Sequence, residues 1–288
     1  MAAIQTPEFF SSQIAEARRF HLGCELGEHP GLAVVSGGCE HCTADYEIHR
    51  RSLPFWGLEF VAHGRGKVSY DKGELPITPG CIFSYGPRTA HEIVTDRAVP
   101  LVKYFVDFTG SRAALLLREF GPEPGTVIQT SAPGEVMAVL DELIGNGLRY
   151  TPFSGRIATV IFEHLLLKIA ETRIPNGSFN SPAFATYRRC RDFIDTHWAN
   201  LESLDGIAAA CHVDAAYLCR LFRRFDRQSP YQLLLGLKIR HAATRLRTAG
   251  TPIAVVAEEL GFADPFHFSR VFKKLMGVSP SVFARMKD

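Results

Sequence analysis

The residues best placed to do chemistry in this 288-residue chain come in two matching sets. The segment YLCRLFRRFDRQSP at 217–230 returns fifty positions later as HFSRVFKKLMGVSP at 267–280. Arg220 matches Arg270, Phe222 matches Phe272, Arg223 and Arg224 match Lys273 and Lys274, and Ser229–Pro230 matches Ser279–Pro280. A guanidinium held outward on a helix can pair bidentately with a guanine edge, and clustered cations can neutralise backbone phosphates. The chemistry these sets suggest is therefore the recognition of double-stranded DNA.

Elements that would position them are legible around each set. In the second copy Thr251 is expected to cap a helix with Pro252 at its first position, Ala257 to allow close helix approach, and Gly261 to make the turn. Asp264–Pro265 then reads as an N-cap followed by proline at N1. In the first copy Ser203 and Asp214 are the caps and Ala208 the small contact, while His212 stands where glycine would be easiest. Counting from Ala208 to Leu218 and from Ala257 to Phe268 makes the second turn one residue longer. These are two helix-turn-helix units, and the second helix of each would enter a major groove. Buried stripes are expected at Leu218, Leu221 and Phe222, and at Phe268, Val271 and Phe272. That leaves Ala215, Ala216, Cys219 and Arg220 for base contacts in one unit and Pro265, Phe266, Ser269 and Arg270 in the other. Arg223, Arg224, Lys273 and Lys274 are the phosphate contacts. A helix from Tyr231 to Thr248, about 27 Å long, would keep the two units about one DNA turn apart.

Charge divides the same way. Residues 183–288 hold 16 Lys and Arg against 10 Asp and Glu, whereas residues 1–182 hold 16 against 20. The basic half is the one suited to a polyanion.

The first half reads differently. From Gly31 to Phe108, short apolar runs alternate with Gly and Pro turns, the pattern of an all-β sandwich or barrel. Helices follow at Gly134–Gly145 and Ser154–Glu171. The second is apolar on two sides, with Ile157, Val160, Ile161 and Leu165 on one stripe and Phe162, Leu166 and Ile169 on the other. One side faces the β domain, and the other is covered either by a second copy of the chain or by burial within the same subunit. The polar stretch within 172–182 reads as a linker. The domains expected are thus 1–171 for sensing and dimerisation, 172–182 as linker and 183–288 for DNA binding.

No apolar run is long enough to span a bilayer, and the first residues lack a secretion-signal pattern. The seven cysteines lack the spacing of a disulfide framework. A cytoplasmic protein with free thiols is expected.

The second unit, IAVVAEELGFADPFHFSRVFKKLMGVSPSVFARMK, resembles the signature of the AraC/XylS family of transcription regulators, and the similarity extends over about 183–287. The resemblance implies an all-α DNA-binding domain, control of nearby promoters as an activator or repressor, RNA polymerase as a partner where it activates, and an N-terminal sensor. The N-terminal half is similar to a cupin-like sensor through Gly64–Arg65–Gly66, Pro79–Gly80 and Pro87 ahead of His91. That alignment puts Glu59, His63, Lys103 and Phe105 on the inner face and His91 at the mouth, facing a small-molecule effector such as a sugar. No cofactor and no enzymatic activity are expected. The alternative of another class is a cupin-type metalloenzyme, or a zinc or redox sensor with an accessory helical domain. Its candidate ligands are Cys39, His41, Cys42 and His49.

Overall fold

In this computed structural model, residues 10–23, 31–87, 89–174, 181–226, 228–247, 251–262 and 264–285 are described. The chain divides into two compact units, Met1–Asn176 and Gly177–Asp288.

The first unit is built on ten strands: β1 (Ile14–His21), β2 (Ala33–Cys42), β3 (Glu47–Arg50), β4 (Trp56–His63), β5 (Gly66–Tyr70), β6 (Gly73–Ile77), β7 (Cys81–Tyr85), β8 (His91–Thr95), β9 (Val102–Thr109) and β10 (Val127–Gln129). They form two antiparallel sheets, one ordered β1-β2-β9-β4-β7-β10 and the other β3-β8-β5-β6. Helices α1 (Ala113–Phe120), α2 (Pro133–Gly147) and α3 (Ser154–Thr172) complete it. Leu58, Phe60, Val106 and Phe108 of the larger sheet share a core with Leu117, Leu140 and Phe162 of these helices. Val61, Phe83, Val68 and Ile93 form a second core between the sheets. The larger sheet is therefore buried on both faces, and side chains two apart on one strand share a face.

Two strands lack an apolar signature. β1 reads IAEARRFH, a polar edge with four exposed residues in a row, and three-residue β10 follows a helix. Both are held by backbone pairing that composition does not advertise.

The second unit contains α4 (Pro182–His197), α5 (Leu204–Ala210), α6 (Ala215–Phe225), α7 (Pro230–Arg247), α8 (Ile253–Glu259), α9 (Pro265–Met276) and α10 (Pro280–Phe283). The expected end of α7 at Thr248 lies outside the described residues. Ser–Pro opens three of these helices. Ser181 and Ser279 each accept from the backbone N–H three residues on. Ser229 does the same for Gln232, whose side chain accepts in return from Ser229 N–H at 2.8 Å, a reciprocal cap.

Some expectations are corrected here. Pro252 stands at the N-cap of α8, not at its first turn behind a Thr251 cap. Val271 is only half-buried, unlike Phe268 and Phe272. On α3 the two stripes divide otherwise than periodicity suggests: Ile161 and Leu165 are buried with Phe162, Leu166 and Ile169, while Ile157 and Val160 are exposed. Of the linker stretch, Thr172 closes α3, Ile174 is buried and Pro182 opens α4, and residues 175–180 lie outside the described residues.

Candidate functional site

Strand alternation gathers a charged cluster between the two sheets. Lys103, Phe105 and Asp107 of β9 point inward, while Tyr104, Val106 and Phe108 join the opposite core. Lys103 Nζ lies 2.8 Å from Glu40 Oε2 and 3.0 Å from Glu59 Oε2. The second contact is an ion pair without hydrogen-bond alignment, since Glu59 Oε2 receives no well-angled donor. Arg19 donates from Nε to Glu40 at 2.8 Å, the Tyr85 hydroxyl donates to Glu59 Oε1 at 3.0 Å, and Ser36 donates to Asp107 at 2.6 Å. Gly57 makes room for this arrangement, because a Cβ there would lie 2.0 Å from the Tyr85 ring.

Burial and charge set the ionisation. Burial alone would depress Lys103, but Glu40 and Glu59 outweigh it and hold the ammonium well above the usual lysine range. Burial would raise Glu40, yet Lys103 and Arg19 keep it below its ordinary value. Asp107 is pushed up to about 6, chiefly by burial. Phe10, Arg50 and Tyr85 complete the lining of a narrow space of about 10 Å³, room for about one water.

Of the expected effector residues, Glu59, Lys103 and Phe105 meet in this space. His91 is not at a mouth: it is 4% exposed and stacked on Tyr85 at 3.9 Å. Its Nδ1 lies 3.1 Å from the Thr89 carbonyl, so Nδ1 carries the proton and Nε2 is an acceptor, buried without a hydrogen-bond partner. Burial lowers its pKa and keeps the ring neutral. His63 is a correction. The register shifts between Val61 and His63, and the side chain ends exposed. Glu40, Arg50, Tyr85 and Asp107 were not anticipated, although Glu40 lies two residues before Cys42 on the same strand face and Asp107 four after Lys103.

The cysteine–histidine candidates do not converge. Three residues apart on β2, Cys39 and Cys42 point to opposite faces and sit in different cores. Burial raises both thiols, Cys42 to about 12. His41 is exposed, and His49 pairs with Glu47 at 2.9 Å and Glu92 at 3.4 Å. None of the six described cysteines is joined in a disulfide; Cys24 lies outside the described residues.

In the helical unit, Asp214 Oδ1 accepts from Tyr217 N–H at 2.9 Å and caps α6. Asp264 accepts from Phe266 and His267 N–H at 2.9 and 3.0 Å and caps α9. The turns before them carry left-handed residues, His212 at φ 53° and Gly261 at φ 71°. Leu218, Leu221, Phe222 and Phe225 anchor α6, and Phe268 and Phe272 anchor α9. Outward from these anchors, Ala216, Arg220, Arg223 and Arg224 are exposed and Ala215 and Cys219 half-buried. On α9, Pro265, Phe266, Arg270, Lys273 and Lys274 are exposed, Phe266 by 79%, and Ser269 is half-buried. Arg220 lies over the Tyr217 ring at 5.6 Å, and Arg270 is 3.8 Å from Asp264. Neither contact is strong enough to withhold the guanidinium from another partner.

Comparison with known proteins bears on both units. The sequence profile of an AraC-like ligand binding domain matches residues 36–159, and that of a helix-turn-helix domain matches 207–286. The chain is 35% identical over 278 residues to the raffinose operon transcriptional regulatory protein of Pediococcus pentosaceus, covering 90% of this chain and 98% of that one. The chain belongs to the AraC/XylS family of transcription regulators. The arabinose operon regulatory protein of Escherichia coli K12 is 33% identical over 235 residues, 78% of this chain and 79% of its own. The Msm operon regulatory protein of Streptococcus mutans is 23% identical over 270 residues, 88% and 92% of the two chains. This regulator therefore pairs a small-molecule-binding β-rich unit with a DNA-binding helical one. No helix among its described residues is long and apolar enough to cross a membrane.

Proposed function

We propose that this AraC/XylS regulator senses a neutral, hydroxyl-rich effector, such as a sugar, at the charged interior of its β-rich unit. The observation that carries this is the charge balance of the interior: the carboxylates of Glu40, Glu59 and Asp107 face the cations of Arg19, Arg50 and Lys103. A charged ligand would upset that balance in a poorly solvated place, whereas hydroxyls can both donate and accept there. His91 Nε2 offers an unused acceptor beside the cluster, and two relatives regulate operons named for raffinose and arabinose. Screening metabolites by thermal unfolding of the full chain tests the reading. A neutral sugar should raise the melting temperature, and His91→Ala should abolish the shift. A shift caused by anionic metabolites alone would overturn it.

In the same reading, Ala215, Ala216, Cys219 and Arg220 of α6 and Pro265, Phe266, Ser269 and Arg270 of α9 meet base edges. Arg223, Arg224, Lys273 and Lys274 meet phosphates. The functional domains are 1–171 and 183–288 with the linker between. The chain is a cytoplasmic regulator without enzymatic activity that works beside RNA polymerase where it activates. It is a homodimer through α3, supported by the exposed apolar series Phe153, Ile157, Val160 and Leu167, whose spacing with His164 is that of a coiled-coil seam. Val160→Glu should shift the chain to the monomer in sedimentation; an unchanged mass would count against the seam.

A further inference from the structure

The repeat visible in the sequence is part of a longer one. A shift of 49 positions carries Arg189 of α4 onto Lys238 of α7, Cys211 onto Leu260, and His212 onto Gly261. Arg189 Nη1 donates to the Cys211 carbonyl at 2.8 Å. Lys238 Nζ donates to the Leu260 carbonyl. These acceptors occupy the same place in each unit, the C-caps of α5 and α8, directly before the left-handed residue of the turn.

The last carbonyls of a helix lack helical partners and carry partial negative charge, so a cation there is both a hydrogen-bond donor and a complement to the helix dipole. Only His212 and Val213 separate Cys211 from the Asp214 cap of α6, and three residues separate Leu260 from the Asp264 cap of α9. With so little chain between, a change in where α5 or α8 ends must reorient the helix that follows. Lys238 is 3% exposed, with the Phe262 ring 5.9 Å from its ammonium. A cation enclosed in this way does not reach a phosphate outside, and burial lowers its pKa. The Glu202 carboxylate lies at the same turn and acts on it, and the retention of so buried an ammonium has a reason if its task is to hold that carbonyl.

We propose that Arg189 and Lys238 are positioning residues for DNA recognition, each setting the angle of one reading helix by tethering the carbonyl that ends the helix before it. The inference rests on α6 and α9 being the helices that enter the groove.

The test uses the full chain and a duplex selected by it from a randomised DNA library. Arg220→Ala and Arg270→Ala first assign which bases of that duplex each unit reads. Lys238→Met should then lose about tenfold in discrimination at the bases assigned to Arg270, and keep it at those assigned to Arg220. Affinity for random DNA and its slope against salt should stay as in the wild type, and Lys238→Arg should restore the discrimination. Arg189→Met, at an exposed position that spares the core, should show the mirror-image loss, and it decides alone if Lys238→Met fails to fold. A shallower salt slope in either Met variant would mean phosphate contact, and equal loss at both stretches would mean general loosening; either result, or unchanged discrimination, overturns the inference. If Arg220→Ala and Arg270→Ala bind every duplex as the wild type does, the groove reading itself fails and takes the inference with it.

Discussion

Lys103 lies 3% exposed between Glu40 and Glu59 in the β-rich unit, whereas Arg270 in the helical unit keeps 75% of its side chain in water. Both are cations at the centre of a candidate site, yet they answer to different physics. A buried charge persists only when its partners compensate its lost hydration, so Lys103 is bound to the fold before it is available to a ligand. An exposed arginine stabilises the fold by little and is free for a partner. The candidate sensing site is thus built from groups already engaged with one another, and the candidate DNA-reading surface from groups left mostly in water.

Substituting each cation should break that symmetry most visibly. Lys103→Met removes the ammonium between two buried carboxylates, leaving Glu40 to Arg19 and Glu59 to the Tyr85 hydroxyl, and chemical denaturation should show a loss of about 3–5 kcal/mol. Arg270→Met should change stability by less than about 0.5 kcal/mol while weakening DNA binding. Equal losses of stability would erase the distinction. A second test lies in pH. Because burial raises Asp107 from 3.8 to about 6, the folded chain holds its proton more tightly than the unfolded one. Its contribution to stability is full below about pH 4 and is lost as pH rises through 6, a change of about 3 kcal/mol. Asp107→Asn should remove this fall, so variant and wild type should diverge between pH 4 and 7; parallel curves would mean the carboxyl is solvated. The smallest effect compares the two turns. His212 holds a left-handed backbone that Gly261 adopts without strain, so His212→Gly should stabilise the chain by up to about 1 kcal/mol and His212→Val should destabilise it. Destabilisation by glycine would show that the imidazole makes a contact worth more than the strain.

How much of each site is legible follows from how local its signals are. Asp214, Asp264, Ser203 and Gly261 act within three or four residues of themselves, so caps, turns and the one-residue difference between the units can be read along the chain. Thr251 and Pro252 show the limit, since one residue of slippage at a helix start changes no pattern. In the β-rich unit the signals are dispersed. Glu40 and Lys103 meet across paired strands from positions far apart in sequence, and alternation along β9 assigns Lys103 and Phe105 to one face only relative to each other. His63 fails for a related reason: it has the parity of Glu59, but an irregularity between Val61 and His63 ends the alternation. The spacing of Cys39 and Cys42 carries opposite meanings on a strand and in a loop, and only the strand settles it.

The amino-acid sequence by itself determined the doubled helix-turn-helix, the Ser203, Asp214 and Asp264 caps and the outward arginines, because helical periodicity and capping are interactions between near neighbours. Only the tertiary structure decided which charges share the barrel interior, which apolar residues of α3 remain uncovered, and that Arg189 and Lys238 grip the same carbonyl in each copy. Those outcomes depend on strand register and on contacts between helices, whose partners are chosen by packing across the whole unit rather than by any residue's neighbours along the chain.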